Sequence, residues 1–319
     1  MTARRVVVTG LGLVTPLGTG VALTWKRLIA GSSAISRCTE EMERYNFPSK
    51  VSAHITVGEG KHDFNTQIFS KADRSQYSLF TQFAVCAADE ALADAKWSPN
   101  SPDEQIRSGV SVGSGIGGFS DTIEASRLLD EFGYRKVSPF FAPKMLINSA
   151  AGNLSLRYSL KGPNLSCSTA CATGGHSIGE AYHLIKHGVA DVMLCGGTDA
   201  SANVPLAVAG FCRCRALSTH FNSDPQKASR PFDSRRDGFV IADGAGILLL
   251  EDYEHAVSRS ATIHAEIIGY GLSSDAYHIT NPCPNGSGAI RSMEMALKSL
   301  ESSHRTEQSS SMKISRNSV

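Results

Sequence analysis

No run of apolar residues in this chain approaches the roughly 20 that a membrane helix needs, so no membrane-spanning helix is expected. Charge of one sign is not in excess either. Lys and Arg number 31 against 30 Asp and Glu, a formal net charge of +1, which gives no reason to expect non-specific nucleic-acid binding. The N-terminus, Met-Thr-Ala-Arg-Arg, runs straight into a strand-like pattern, with neither a signal peptide nor a long Arg- and Ser-rich transit segment before it. The eight cysteines (Cys38, Cys86, Cys167, Cys171, Cys195, Cys212, Cys214 and Cys283) include no C-x-x-C pair, and five sit in apolar runs. They read as reduced thiols of an intracellular protein, not as a disulfide frame or a zinc site. No other metal-ligand spacing occurs.

What is present is a globular composition, 41% hydrophobic and 19% charged over 319 residues, enough for one large or two ordinary domains. Arg5–Gly10 is a Val-rich run bounded by Gly, which suits a strand covered on both faces. Ala22–Ala30 has helical spacing and stops at Gly31. Gln76–Ala95 reads as an amphipathic helix, and Gly109–Val112 as a strand leading into a Gly cluster. Asp121–Phe132 and Lys144–Tyr158 read as helices, Asp191–Cys195 as a buried strand, and Pro205–Phe211 as a short helix. Ala245–Glu251 is a strand, Tyr253–Ser258 a helix, Thr262–Tyr270 a strand and Gly288–Leu300 a helix. Such alternation implies an α/β fold with helices layered on sheets.

The chemically suggestive stretch is Ser166–Gly179. A β-compatible run, Asn164–Ser168, leads into an apolar helix pattern that continues to about His187, so Cys171 falls at or near a first helical turn. Unpaired N–H groups and the positive end of the helix dipole would face its sulfur. Such a position lowers a thiol pKa, and the same N–H groups can hold an oxyanion formed when the thiolate attacks a carbonyl. Gly174 and Gly175 each cost about 1 kcal/mol of helix propensity relative to Ala, which suggests a close approach to the backbone there. The plainer reading is a buried Cys in a Gly-rich turn.

Ser168-Thr169-Ala170-Cys171-Ala172-Thr173-Gly174 resembles the nucleophile motif of β-ketoacyl-acyl-carrier-protein synthases, the condensing enzymes of fatty acid synthesis. Val7–Gly12 with Thr15–Gly18, Gly113–Gly118, Ser138–Pro143 and Lys161–Pro163 are similar in the same order. So are Gly196–Asp199, Ala216–Thr219, Arg230–Asp233, Arg236–Val240 and Ser273–His278. The resemblance implies a thiolase-like layered fold, with a complete first half at residues 1–258. A truncated second half would occupy residues 259–300, and a polar, Ser-rich, disordered tail residues 301–319. It also implies a homodimer, and acyl-carrier-protein phosphopantetheine thioesters as substrates with no other cofactor. The acyl group would pass to Cys171, and malonyl-carrier protein would then condense with it decarboxylatively. In the family the second stage uses two histidines, a lysine and a Gly-Phe-Gly-Gly loop, none of which this sequence matches. A catalytically incomplete fragment, a non-catalytic partner subunit and a thiolase are the alternatives. An apolar inner face of the first half is expected to be exposed.

By the same resemblance Ile116 matches an acyl-pocket gating residue, and Phe141 an aromatic reaching the partner subunit's pocket. Lys71 and Arg74 fall near the helix that holds acidic carrier protein. Ordinary packing and a solvated face are the alternatives. His176 lies five positions after Cys171, about 140° around a helix, and points elsewhere. His278 matches a family motif but no catalytic histidine, His304 lies in the tail, and Asp275 shapes the pocket mouth. Gly113-x-Gly115-x-x-Gly118 fits a dinucleotide fingerprint, but no acidic strand end follows about twenty residues later, so a nicotinamide or flavin cofactor is rejected. The cysteine count hints at the mitochondrial form, with the cytoplasm as the alternative.

Overall fold

The structure is a computed structural model that describes residues 4–60 and 63–300. The expected tail at 301–319, with His304, lies outside the described residues. Nine strands are present among them: β1 (Val6–Thr15), β2 (Gly18–Thr19), β3 (Ser36–Arg37), β4 (Val51–Ser52), β5 (Ser108–Gly113), β6 (Asn164–Leu165), β7 (Val192–Asp199), β8 (Gly244–Asp252) and β9 (Ala265–Glu266). Seven form one mixed sheet in the order β2-β1-β8-β7-β5-β6, with β9 also on β1, and β3 pairs with β4 apart from it. β5 is parallel to β6 and β7, whereas β8 runs antiparallel to both β7 and β1. β1, β7 and β5 therefore point the same way, and their carboxyl ends lie on one side of the molecule.

Side chains alternate across this sheet with the period of two that strands impose. Val192, Leu194, Ile247 and Leu249 bury on one face with the helix Leu79–Ala95. Met193, Cys195, Leu250, Val6 and Val8 bury on the other, with Ala181, Tyr182 and Ile185 of the helix Thr173–Lys186. Each fully buried Leu or Ile contributes about 1.5–3 kcal/mol by leaving water. Both faces of the sheet are thus covered, contrary to the expectation of an exposed inner face. Exposed apolar side chains gather instead along 268–297, including Ile268, Ile279, Met293 and Leu297.

Several elements differ from their sequence reading for identifiable reasons. The Gln76–Ala95 segment is two helices, Lys71–Gln76 and Leu79–Ala95, because Tyr77 is extended and Ser78 Oγ donates to Lys144 O at 3.1 Å. The second helix is not amphipathic. Eleven of its seventeen residues are buried, since the sheet covers one side and the helix Ser149–Tyr158 another. Gly10 and Gly12 of β1 permit this close seating: a Cβ on either would collide with the helix backbone at Ala91 or Ala87. The Lys144–Tyr158 pattern divides into Phe141–Met145 and Ser149–Tyr158. The Thr262–Tyr270 strand contracts to β9, since its ladder to β1 extends only over Val6–Val8. Tyr270 then crosses Gly179 on the neighbouring helix, and a helix at 287–300 rests on Gly269 and Gly271.

Candidate active site

Cys171 lies in a 3₁₀ turn, Ala170–Ala172, that runs directly into the helix Thr173–Lys186, and its side chain is exposed. The residue before it, Ala170, has φ +50°. A non-glycine residue in this left-handed region costs roughly 1–2 kcal/mol, so the surrounding bonds must hold it there. Thr169 N–H donates to Thr173 Oγ1 at 2.9 Å, and Ala172 N–H to Thr169 O at 3.1 Å. The helix cap at Ala172 has no side-chain acceptor for the first-turn N–H groups. Thr173 N–H is taken by Ala170 O, and the dipole's positive end remains beside the thiol.

The glycines set the distance between this turn and the sheet. A Cβ on Gly113 would overlap Cys167 O and come within 2.5 Å of Thr173 Cγ2. One on Gly197 would lie 3.0 Å from Gly174 Cα. Gly174 therefore faces backbone, although its own would-be Cβ would reach only ordinary contact, 3.5 Å from Gly197 N. Gly175 does not, since nothing lies within 4 Å of its would-be Cβ. The result is an open cleft of about 440 Å³ lined by Cys171, Ala170, Leu13–Pro16, Gly113, Gly197–Asp199 and Ala242–Gly246. It sits at the carboxyl ends of β1, β5 and β7, where open α/β sheets bind ligands, and its size suits a small-molecule site.

Asp199, at the end of β7, stands in the sequence reading only as the last residue of the Gly196–Asp199 motif, without a role of its own. Its Oδ1 accepts Ser114 Oγ at 2.7 Å and Ile116 N–H at 3.2 Å, and its Oδ2 accepts Gly115 N–H at 3.1 Å. Gly117 N–H donates to Ser114 Oγ at 2.9 Å. Three successive amides of the Gly cluster thus end on one carboxylate, directly or through Ser114. This is also why the apparent dinucleotide fingerprint has a different role: the N–H groups that would hold a pyrophosphate are occupied by the chain's own anion. The available signal was a carboxylate ending a buried apolar strand. Its partner loop becomes visible only through the pairing of Gly113 with Gly197.

The remaining sequence candidates are spread around this cleft. Ile116 is half-buried in the loop held by Asp199, and that loop abuts the segment after Phe141, with Gly118 N–H donating to Met145 O at 3.3 Å. Phe141 is half-buried at the start of its helix. Lys71 is exposed, but Arg74 turns inward and donates to Gln67 Oε1 at 2.5 Å and Phe69 O at 3.2 Å. His176 Nδ1 shares a hydrogen bond with Thr169 Oγ1 at 2.7 Å and borders a neighbouring hollow formed with Gly271–Ile279. His278 Nδ1 accepts from the N–H groups of Thr280 and Asn281, both at 3.1 Å, so it closes its own loop. Asp275 lines the same hollow and accepts Cys283 N–H at 2.9 Å. No histidine lines the Cys171 cleft among the described residues.

Buried carboxylates brace the sheet at both ends. Asp243, on its wall, accepts from Ala202 N–H at 2.7 Å and Ile55 N–H at 3.1 Å. Burial pushes its carboxyl up against the pull of those donors. At the far end of the sheet the fully buried Glu251 receives Arg259 at 2.6 and 2.7 Å, His255 at 2.5 Å and Thr9 at 2.8 Å. Burial alone would raise Glu251, but these donors hold it at about 2. The same bond to Glu251 raises His255 against the opposing effect of burial. Asp191 is held at about 2 by Arg107 and Arg4, against desolvation.

The model of the β-ketoacyl synthase N-terminal domain matches residues 3–256. The chain is 51% identical over 310 residues to the 3-oxoacyl-(acyl-carrier-protein) synthase, mitochondrial, of Arabidopsis thaliana, covering 92% of this chain and 66% of the relative. It is 50% identical over 297 residues to 3-oxoacyl-(acyl-carrier-protein) synthase 2 of Rhizobium meliloti, covering 92% and 70%. Among solved structures, the ketosynthase complex of a type II polyketide synthase with its acyl-carrier protein superposes with a TM-score of 0.80. That match is at 34% identity and covers 94% of this chain and 71% of that one. The chain thus spans about two thirds of the length of its relatives.

Proposed function

The chain belongs to the β-ketoacyl synthase family, whose thiolase-like fold it shares, and from that premise we propose that it is a 3-oxoacyl-acyl-carrier-protein synthase of fatty acid biosynthesis, with Cys171 as its nucleophile. The observation that carries this reading is the exposed Cys171, held by a strained turn at the head of a helix and opening into a cleft at the strand ends. In the first stage the Cys171 thiolate attacks the thioester carbonyl of an acyl phosphopantetheine. A new C–S bond forms, the old one breaks, and the phosphopantetheine thiolate leaves. Dividing a difficult acyl transfer in two in this way is what a nucleophile contributes. The tetrahedral oxyanion is stabilised by the N–H of Cys171 itself, at the positive end of the helix dipole.

Ile116 and Phe141 border the acyl chain. Lys71 gives acidic carrier protein an exposed cation, and Arg74 stiffens the turn beneath it. The carrier-protein partner is supported by the solved complex of a similar ketosynthase with its own carrier protein. No metal or other cofactor enters this chemistry. Pairing into a homodimer is supported by the exposed edge strand β6 with Leu165, and by exposed Leu129, Phe132 and Tyr134. We place the division between the two thiolase-like segments at 258/259, and the protein in mitochondria, in keeping with the plant relative's name. The cytoplasm is the alternative, since the Rhizobium relative is bacterial.

A narrower second reading for this polypeptide is acyl acceptance at Cys171 without condensation. Both readings are tested by incubating the purified chain with an acyl-carrier-protein thioester and then with malonyl-carrier protein. An adduct on Cys171 supports the assignment. A β-ketoacyl product in addition eliminates the narrower reading, and no adduct eliminates both.

A further inference from the structure

We propose that Asp199 is a positioning residue that fixes the acyl-pocket wall at Ile116 relative to Cys171, and that acyl-chain selectivity is set through it. This rests on the reading of Cys171 as an acyl acceptor and of Ile116 as part of the pocket wall. Three observations converge on Asp199. Its carboxylate gathers the Gly115 and Ile116 amides and the Ser114 hydroxyl at 2.7–3.2 Å. It lines the same cleft as Cys171. Gly115 lies beside both it and the nucleophile turn, a would-be Cβ reaching ordinary contact with each, 3.5 Å from Asp199 Oδ2 and 3.6 Å from Ala170 O. One carboxylate therefore ties the end of β7 to the loop bearing Ile116, across the same cleft from the strained residue preceding Cys171.

The bonding pattern makes the claim specific. Both carboxylate oxygens act only as acceptors here, each facing donors. An Asn at this position keeps the shape but must turn its NH₂ either toward Gly115 N–H or toward Ile116 N–H and Ser114 Oγ. Two donors then face each other and one limb of the grip opens. Ile116 loses its fixed distance from Cys171. A long acyl chain, which needs the wall in register, is affected more than a two-carbon acyl group, which does not reach it.

The test compares wild type, Asp199→Asn and Asp199→Glu. Time courses of Cys171 acylation are followed by intact mass with acetyl- and palmitoyl-carrier protein, alongside thermal melts. In Asp199→Asn the palmitoyl-to-acetyl rate ratio is expected to fall roughly tenfold, the scale on which pocket shape discriminates chain length. Asp199→Glu, which retains the carboxylate, is expected to recover the ratio. A folded Asp199→Asn with the wild-type ratio overturns the proposal, including the case in which both rates fall together. If Asp199→Asn does not fold, Ser114→Ala removes the hydroxyl that donates to Asp199 and accepts from Gly117 N–H but leaves the Gly115 and Ile116 bonds to Asp199 in place; it must shift the ratio in the same direction, and an unchanged ratio there overturns the proposal. Alkylation of Cys171 by iodoacetamide and by its N-hexadecyl analogue requires no acyl transfer. A wild-type protein that accepts neither acyl group refutes the functional reading, while the alkylation ratio in Asp199→Asn still decides the role of Asp199.

Discussion

Replacing Gly113 with Ala puts a methyl group where the segment leading to Cys171 already lies. The new Cβ would overlap the Cys167 carbonyl oxygen and come within 2.5 Å of Thr173 Cγ2. The first obstacle is backbone, which cannot swing aside as a long side chain can. Ordinary contact requires the Cys167–Thr173 segment, or the end of β5, to move by about 1 Å. Overpacking of this kind costs roughly 1–3 kcal/mol. The displaced segment contains Cys171, and a misplacement of that size can lower a reaction rate roughly a hundredfold. Gly175→Ala is the contrasting substitution, because nothing lies within 4 Å of its would-be Cβ. It should raise stability by about 1 kcal/mol through helix propensity. Intact-mass acylation kinetics and thermal melts of the two variants give both readouts. A Gly113→Ala protein that melts and acylates like wild type would refute this reasoning.

Three further outcomes are expected. Ala170→Gly should stabilise the protein by about 1 kcal/mol by relieving the left-handed strain, and a lower Tm would contradict that placement. Arg259→Met should cost about 3 kcal/mol in urea unfolding, because it strips the fully buried Glu251 of both its arginine contacts. A loss below about 1 kcal/mol would show that His255 and Thr9 suffice. Stability should also vary with pH in two directions. Glu251 and Asp191, each held at about 2, stabilise the fold above the ordinary carboxylate range, and this is lost as pH falls toward 2. His255, raised by Glu251, contributes fully below the ordinary histidine value and loses that contribution as pH rises through its higher folded value. Urea midpoints that keep rising from neutral to alkaline pH, with no decline attributable to His255, would contradict its pairing.

The α/β order and the placement of Cys171 at a helix start were legible because they depend on local signals: a Val-rich strand, a Gly-bounded run, an apolar helical period. The Leu79–Ala95 helix was misread as amphipathic because its burial comes from two layers far apart in sequence, through Gly10, Gly12 and the Ser149–Tyr158 helix. Phe80–Val85 is buried without interruption, Thr81 and Gln82 included, so its polar residues do not mark the side that meets solvent. β9 was read too long because an apolar run fixes potential for pairing, while its extent depends on the edge of β1 that is available. Asp199 reads in the sequence only as the end of the Gly196–Asp199 motif, with no role of its own, for the same reason. A strand-end Asp is common, and only the register of β5 against β7 brings a Gly-rich loop within reach of it. Arg74 shows the converse: a basic residue in a docking context whose guanidinium is occupied by its own chain.

The assignment of Cys171 as acyl acceptor is best decided by the mass of the purified chain after exposure to an acyl-carrier-protein thioester, beside Cys171→Ala. An adduct of one acyl group in the wild type and none in the variant is the expected result. An unmodified wild type, or an equal adduct on Cys171→Ala, would contradict it.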